Sequence, residues 1–348
     1  MAKDQDHVCV LIGRFQPFHN GHALLLHRAL ESAPRVVVVL GSSFHARSPK
    51  DPFTWQERAA MIEATLSETD RERVAYIPVR DYYDDRRWAN SVRRAVTNEI
   101  NETTRITLVG YFKDSSSYYL NLFPQWELQT VESPPDIDAT NIRQVIFEAE
   151  DMEVSLSALA GWLATPVRQY LKAWAILGHY RNLVEEHRRI SSYRAAWKTA
   201  PYAPIFVTVD AVIKTSGHVL LVQRNGFPGK GLWALPGGFL DQHERLLDAC
   251  VRELQEETSL GVLPSTLTNA LTGVKVFDHP RRSLRGRTIT HAHYFDLGTE
   301  QLPEVQAADD AAAAKWTPIS DLASMEDQFH EDHFHILDEF LHLTDSRN

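Results

Sequence analysis

The sequence predicts a doubly wound parallel α/β sheet joined to an α+β domain with a mixed sheet. Three observations predict this. Apolar blocks rich in Val and Ile alternate with helical patterns from Val8 to Glu148, as strands buried on both faces between helices do. Pro201 and Pro204 close a helical stretch and mark a boundary. Beyond them strand patterns surround one strong helix instead of alternating with several. The 348 residues suit two domains at roughly 150 residues each.

In the first part the expected strands are Val8–Ile12, Arg35–Leu40, Val74–Val79, Arg105–Val109 and Glu127–Val131. Helical patterns lie between them at His22–Glu31, Trp55–Leu66, Arg86–Ile100 and Ala139–Glu148. Thr54 and Glu57 form a capping box that starts the second of these. Leu156 to about Lys198 reads as helical. Thr165-Pro166 opens one helix, carried by Val167, Tyr170, Leu171, Trp174 and Leu177, and Gly178 is its expected stop. A second helix runs from about Tyr180 towards Pro201. After the boundary the expected strands are Ile205–Ile213, Val219–Gln223, Ala270–Val276, Thr288–Phe295 and Ala314–Trp316. The strong helix is about His243–Thr258, and a terminal amphipathic helix covers about Asp332–Leu343. The expected organisation is a first domain at 1–185, a helical linker at 186–202 and a second domain at 203–348.

Composition excludes more than it identifies. Lys and Arg number 36 against 46 Asp and Glu, a net charge of −10, which makes a general nucleic-acid partner unexpected. Cys9 and Cys250 are too few for a disulfide framework and sit in apolar stretches, as in reducing compartments. The polar N-terminus lacks a signal-peptide layout, and Val36–Leu40 is far short of a membrane span. A cytoplasmic protein with no membrane partner is expected. A homo-oligomer is left open.

The first candidate site is Gly13-Arg14-Phe15-Gln16-Pro17-Phe18-His19-Asn20-Gly21-His22, which leaves the first strand and opens the first helix. Gly13 permits a tight turn, and Gly21 permits close backbone approach to a ligand. A helix N-terminus presents unpaired N–H groups that suit phosphate. His19 and His22, three apart, can face the same phosphates. Two histidines at that spacing would by themselves mean little; the decapeptide as a whole is far more specific. It resembles the GxFxPxHxGH signature of the nucleotidylyltransferase superfamily. Gly41-Ser42-Ser43, Arg47, Asp51-Pro52-Phe53-Thr54, Trp88, Lys113-Asp114-Ser115 and Asp138-Ala139-Thr140-Asn141-Ile142-Arg143 narrow the likeness. Residues from about 7 to 185 resemble the archaeal-type nicotinamide mononucleotide (NMN) adenylyltransferases. The resemblance implies a Rossmann-like fold and adenylyl transfer from ATP to NMN with Mg²⁺, giving NAD and pyrophosphate. It implies catalytic roles for His19, His22 and Arg143. Gly13, Arg14, Phe15, Gly21, Arg47 and Thr140 would serve binding, and Trp88 would stack on the nicotinamide ring. Asp138 stands where that family usually has Ser, and is expected to act as a helix cap.

The second candidate site begins at Gly238. Glu244 follows after five residues, and Arg252-Glu253-Leu254-Gln255-Glu256-Glu257 after seven more. On a helix Glu253, Glu256 and Glu257 share one face, where like charges call for a cation. A hard divalent ion on a diphosphate suits oxygen ligands. This spacing resembles the Nudix box, GX5EX7REUXEEXGU with U aliphatic. Ser259 replaces the Gly of the box, at a position expected to need a positive φ. The resemblance covers about residues 203–343. It implies Mg²⁺ or Mn²⁺ on Glu253, Glu256 and Glu257, with Gly238 at the substrate. The general base is open between Glu253, Glu257 and a downstream acid such as Glu304.

The segment from Phe277 to Ile289, with Ala308-Asp309-Asp310 and Trp316, looks like ADP-ribose pyrophosphatases. It contains Arg281, Arg282, Arg285 and Arg287; Arg282 and Arg287 are the expected substrate contacts. His330, His333, His335 and His342 lack HExxH spacing and are expected on a polar helix face. The whole chain resembles bifunctional NMN adenylyltransferase/Nudix hydrolase proteins. Nucleotides would be its partners, and ADP-ribose would be cleaved to AMP and ribose 5-phosphate. The alternative is transfer to another phosphate acceptor, joined to a non-catalytic module that senses ADP-ribose.

Overall fold

The computed structural model describes residues 6–101, 104–112, 115–132, 137–298 and 301–344. It divides into two compact units, Met1–Val184 and Glu185–Asn348. Lys113 and Asp114 of the first motif set lie outside the described residues.

The first unit runs β1 (His7–Gly13), α1 (Asn20–Ser32), β2 (Arg35–Leu40), α2 (Trp55–Glu63), α3 (Glu68–Arg71), β3 (Val74–Pro78), α4 (Asp85–Thr97), β4 (Arg105–Gly110), a 3-10 segment (Ser115–Leu122), β5 (Glu127–Thr130), α5 (Ala139–Phe147), α6 (Met152–Ala158) and α7 (Thr165–Trp174). The strand order is β3-β2-β1-β4-β5, and every pairing is parallel. Burial on both faces explains the unbroken apolar run of β2. Val36, Val38 and Leu40 pack with Leu26, Ile62 and Ile142 on one face. Val37 and Val39 pack with Val92 and Val96 on the other. The strand order reverses between β1 and β4, which opens a crevice at their C-terminal ends.

Helix α8 (Gly178–Ala196) follows α7 after a short turn. Gly178 therefore opens a helix and does not stop one. The chain has already left α7 at Ala175–Leu177, where the Leu177 N–H donates to the Trp174 carbonyl.

The second unit contains β6 (Ile205–Thr215), β7 (His218–Arg224), β8 (Trp233–Ala234), β9 (Gly237–Phe239), α9 (Leu246–Thr258), α10 (Pro264–Asn269), β10 (Leu271–Phe277), β11 (Arg287–Asp296), β12 (Ala311–Pro318), α11 (Ile319–Leu322) and α12 (His333–Leu341). Its sheet is mixed. β6 runs parallel to β11 and antiparallel to β7 and β9. Alternation along β6 sends Val209, Ala211 and Ile213 towards Ala249, Cys250 and Leu254 of α9. Val212 faces the cluster holding Phe334, Ile336 and Leu337 of α12. Helix α9 starts three residues later than its pattern predicts. Glu244 is held in the preceding turn, where it accepts from the Asp241 N–H at 2.9 Å.

Two backbone features carry expectations for stability. Ser259 caps α9 in the left-handed region at φ 42°, where the sequence anticipates a glycine. Ser259→Gly should stabilise the second unit by about 0.5–1 kcal/mol, read as a higher denaturation midpoint. Arg58 is fully buried on α2, at 0% exposure. Its guanidinium donates to the carbonyls of Arg14 and Gly41 at 2.6 Å each and to Ser43 Oγ at 3.0 Å. Burial lowers its pKa to about 10. Arg58→Met orphans those acceptors and should cost the first unit about 2–4 kcal/mol in chemical denaturation.

Candidate active sites

The decapeptide folds as a tightly bonded loop between β1 and α1. Phe15 adopts φ 52° and turns its ring back over Gly13, where a Cβ would lie 2.8 Å from the ring. Gln16 locks the loop to the Asp51–Thr54 segment. Its side chain accepts from the Phe53 N–H at 3.0 Å and donates to the Phe53 carbonyl at 2.9 Å. The two histidines then cap α1 reciprocally. His19 Nδ1 accepts from the His22 N–H at 3.4 Å, and His22 Nδ1 accepts from the His19 N–H at 3.3 Å. Their rings stack at 3.6 Å between centroids. With both Nδ1 atoms accepting, each neutral ring carries its proton on Nε2. The structure thus makes two side-chain N–H donors at a helix N-terminus, which already favours anions.

Arg143 reaches this loop from α5 and donates to the Gln16 carbonyl at 2.7 Å and to Thr140 Oγ1 at 3.2 Å. Burial lowers its pKa, and Arg14 adds to that effect. Asp138 is the N-cap of α5 and accepts from the Thr140 N–H at 3.0 Å. Gly21 is buried in α1, and Arg14 is exposed beside the loop. Trp88 on α4 is half-buried and packs edge-on to Tyr119 and Phe123. Tyr119 donates to the Ile12 carbonyl at 3.2 Å, which ties this aromatic group to the end of β1.

Arg47 behaves differently from its expected phosphate contact. Its fork holds Glu57 at 2.5 and 2.9 Å and also donates to the Pro52 carbonyl. Glu57 additionally accepts from Trp174 Nε1 and the Thr54 N–H. Arg58 and Gln16 are supports that sequence reading missed. Their partners lie 15 to 44 residues away and are mostly backbone groups, and no local pattern signals them.

In the second unit Glu253 packs on Gly238, where a Cβ would lie 2.5 Å from its Oε1. Arg252 draws the acidic set together. It binds Glu244 at 2.7 and 3.0 Å, Glu253 at 2.9 Å and Glu256 at 2.9 Å. The spacing of the box is thus a latch from Glu244 to Arg252. Glu257 is 6% exposed and accepts from the Gly237 N–H at 3.0 Å. Burial first, then hydrogen bonding to Asp310, pushes its pKa up to about 9. Burial also raises Glu253.

Among the described residues no three His, Cys, Asp or Glu side chains converge as a metal-ligand group. Arg252 binds both Glu253 and Glu256, while Glu257 accepts from the Gly237 N–H. The donor chemistry still fits a hard divalent cation. Glu253 is a half-buried and Glu257 a buried oxygen donor, and Glu257 meets a second carboxyl, Asp310. Asp310 lacked a readable signal beyond its motif. Glu304 is exposed.

Two further expectations change. Arg282 is 6% exposed and makes a two-pronged pair with Asp332 at 2.8 Å, a buried structural contact. Arg287 donates to the Asp278 carbonyl. His330 and His333 are buried at 3% and 8% exposure, not arrayed on a polar face. His333 Nδ1 accepts from the Leu235 N–H at 2.9 Å. Burial lowers its pKa to about 3, against the opposing pull of Asp332. The unfolded chain then takes the proton first. This ring's contribution is whole above about pH 6.5 and falls as pH drops towards 3, at up to about 1.4 kcal/mol per pH unit. Denaturation of the second unit across that range should show the slope, and His333→Asn should flatten it.

A cytidylyltransferase-like family model matches residues 10–205, and a NUDIX domain model matches 204–340. The chain is 35% identical over 180 residues to a nicotinamide/nicotinic acid mononucleotide adenylyltransferase of Acinetobacter baylyi, covering 51% of this chain and 92% of that protein. It is 32% identical over 146 residues to an ADP-ribose pyrophosphatase of Methanocaldococcus jannaschii, covering 42% of this chain and 78% of that one. A crystal structure of a bifunctional NMN adenylyltransferase/ADP ribose pyrophosphatase from Francisella tularensis superposes with a TM-score of 0.89 at 36% identity, covering 97% of this chain and 98% of that one. Another structure of the Francisella protein, complexed with AMP and a Mn ion, gives a TM-score of 0.87 at 35% identity, with the same coverage. By these matches the chain belongs to the cytidylyltransferase-like family and carries a Nudix domain as its second unit.

Proposed function

We propose that the chain is a bifunctional enzyme of NAD metabolism. Its first unit transfers AMP from ATP to NMN, giving NAD and pyrophosphate. Its second hydrolyses ADP-ribose to AMP and ribose 5-phosphate. The observation that carries the first activity is the reciprocal histidine cap at the end of β1.

An NMN phosphate oxygen attacks the α-phosphorus of ATP, and the bond to pyrophosphate breaks. No protein nucleophile is needed, so catalysis reduces to positioning and charge stabilisation. The Nε2–H groups of His19 and His22, the first N–H groups of α1 and the Arg143 fork supply that stabilisation. Trp88 offers an indole face to the cationic nicotinamide ring.

In the second unit Glu253, Glu256 and Glu257 would hold Mg²⁺ or Mn²⁺, which when bound neutralises charge on the diphosphate. Arg252 fixes the orientation of the acidic side chains, and Gly238 leaves room for the Glu253 carboxylate. Both cysteines are free and buried, which supports a reducing cytoplasmic setting. Among the described residues no helix is long and apolar enough to cross a membrane.

Product analysis tests the proposal: NAD from NMN and ATP, and AMP with ribose 5-phosphate from ADP-ribose, each with Mg²⁺. Equal turnover of flavin mononucleotide or phosphopantetheine in place of NMN would contradict the acceptor. ADP-ribose binding without AMP release would leave the second unit a sensor.

A further inference from the structure

The stretch His330-Glu331-Asp332-His333 precedes and opens α12, and its members fasten two other segments of the second unit. The His330 N–H donates to the Trp233 carbonyl at 2.9 Å, and His333 Nδ1 accepts from the Leu235 N–H at 2.9 Å. These two hold the chain that leads into Gly237 and Gly238. Asp332 takes the Arg282 fork at 2.8 Å on both prongs. Glu331 holds the residues that follow Arg282.

Glu331 adopts φ 44°, a left-handed backbone that a glutamate avoids. Such strain persists where the surrounding contacts over-determine it. Here the contacts are those of its side chain, which is 11% exposed. Its Oε1 accepts from Ser283 Oγ at 2.7 Å and from the Leu284 N–H at 3.2 Å. Its Oε2 lies 3.6 Å from His330 Nε2. Ser283 Oγ in turn accepts from the Arg285 N–H at 3.3 Å. One carboxylate oxygen thus fixes residues 283–285, directly or through one hydroxyl. Burial raises the Glu331 pKa, and the Arg285 cation is the strongest opposing influence. The Arg285 guanidinium carbon lies 5.1 Å from the centroid of the Phe239 ring. Phe239 directly follows Gly238, the residue on which the Glu253 carboxylate packs. The turn that Glu331 holds therefore ends beside the acidic site.

We propose that Glu331 is a positioning residue for hydrolysis in the second unit: its Oε1 sets the 283–285 turn, and with it the place of Arg285 over Phe239. This rests on the Nudix reading above and goes beyond it by giving the reaction a residue that acts without touching the substrate. The strain at Glu331 is then the cost of aiming its carboxylate at Ser283 and Leu284.

The test is steady-state hydrolysis of ADP-ribose with Mg²⁺ by the full chain and by Glu331→Gln, Glu331→Ala and Glu331→Gly, with denaturation midpoints of the second unit on the same samples. Gln keeps the oxygen acceptor. Ala removes it and keeps the strained backbone, whereas Gly removes it and relieves the strain. KM should rise about fivefold or more in both Ala and Gly variants, with kcat within about threefold, while Gln stays within about twofold of wild type in both. Gly should denature later than Ala although their KM values agree. Ser283→Ala cuts the same link from the other side and should raise KM to a similar degree; it carries the test where a Glu331 variant does not fold. A KM within about twofold of wild type in the folded Ala, Gly and Ser283→Ala variants would overturn the proposal and leave Glu331 a structural carboxylate. So would a raised KM in Ala alone, which would trace the effect to the backbone, or a KM for Gln as high as for Ala. Wild-type chain that releases no AMP from ADP-ribose would sink the substrate reading instead. The same variants compared on whichever nucleoside diphosphate derivative it does hydrolyse would then decide the role of Glu331.

Discussion

His19→Asn is expected to lower NAD synthesis by about 10²-fold or more while leaving the first unit folded and ADP-ribose hydrolysis unchanged. Asparagine is chosen because it separates two functions of the same ring. His19 is the N-cap of α1, with Nδ1 accepting from the His22 N–H. Asn ranks among the best N-cap residues and replaces that acceptor, so the helix start survives. It cannot reproduce the Nε2–H that the capped imidazole presents. His19→Ala removes both, and should add about 1 kcal/mol of instability to the same catalytic loss. Initial rates of NAD formation, alongside thermal midpoints, read the two effects apart. Equal rates for wild type and His19→Asn would mean that the ring serves only as a cap.

Glu257→Gln should act in opposite directions on activity and stability. Hydrolysis of ADP-ribose should fall by about 10²–10⁴-fold, since the variant removes a charged ligand or a base at the reacting diphosphate. The fold should gain. Glu257 is buried, meets Asp310 and depends on the Gly237 N–H. A neutral amide of the same shape can still accept from that N–H without setting a second carboxylate against Asp310. The denaturation midpoint of the second unit, measured without added metal, should rise. A fall in both quantities would point to a structural carboxylate.

What could be read from the sequence was what is local in the chain. The cradle from Gly13 to His22 spans one strand end and one helix start, so its ten residues carry the whole turn. Ser259 was legible for the same reason: a cap one residue beyond a helix demands a left-handed backbone whichever residue stands there. The box spacing was legible because Glu244, Arg252, Glu253 and Glu256 close on each other across a single turn and helix.

Tertiary choices were not legible. Arg47 has the right chemistry for phosphate, yet Glu57 and the Pro52 carbonyl take its fork. Arg282 and Arg285 are three residues apart in one loop. Only the fold gives the first to Asp332 and the second to the face of Phe239. Arg58 carries no local signal; its partners include the carbonyls at positions 14 and 41. The C-terminal histidines misled because polarity suggests exposure, whereas His333 is buried as the acceptor for the Leu235 N–H.

One chain carries two nucleotide sites, one forming a phosphoanhydride bond and one hydrolysing it. The most direct measurement follows both reactions in wild type, His19→Asn and Glu257→Gln under one set of conditions with Mg²⁺. A crossed result is expected: His19→Asn loses NAD synthesis and keeps AMP release from ADP-ribose, and Glu257→Gln does the reverse. Loss of both activities in either folded variant, or of neither in both, would contradict it.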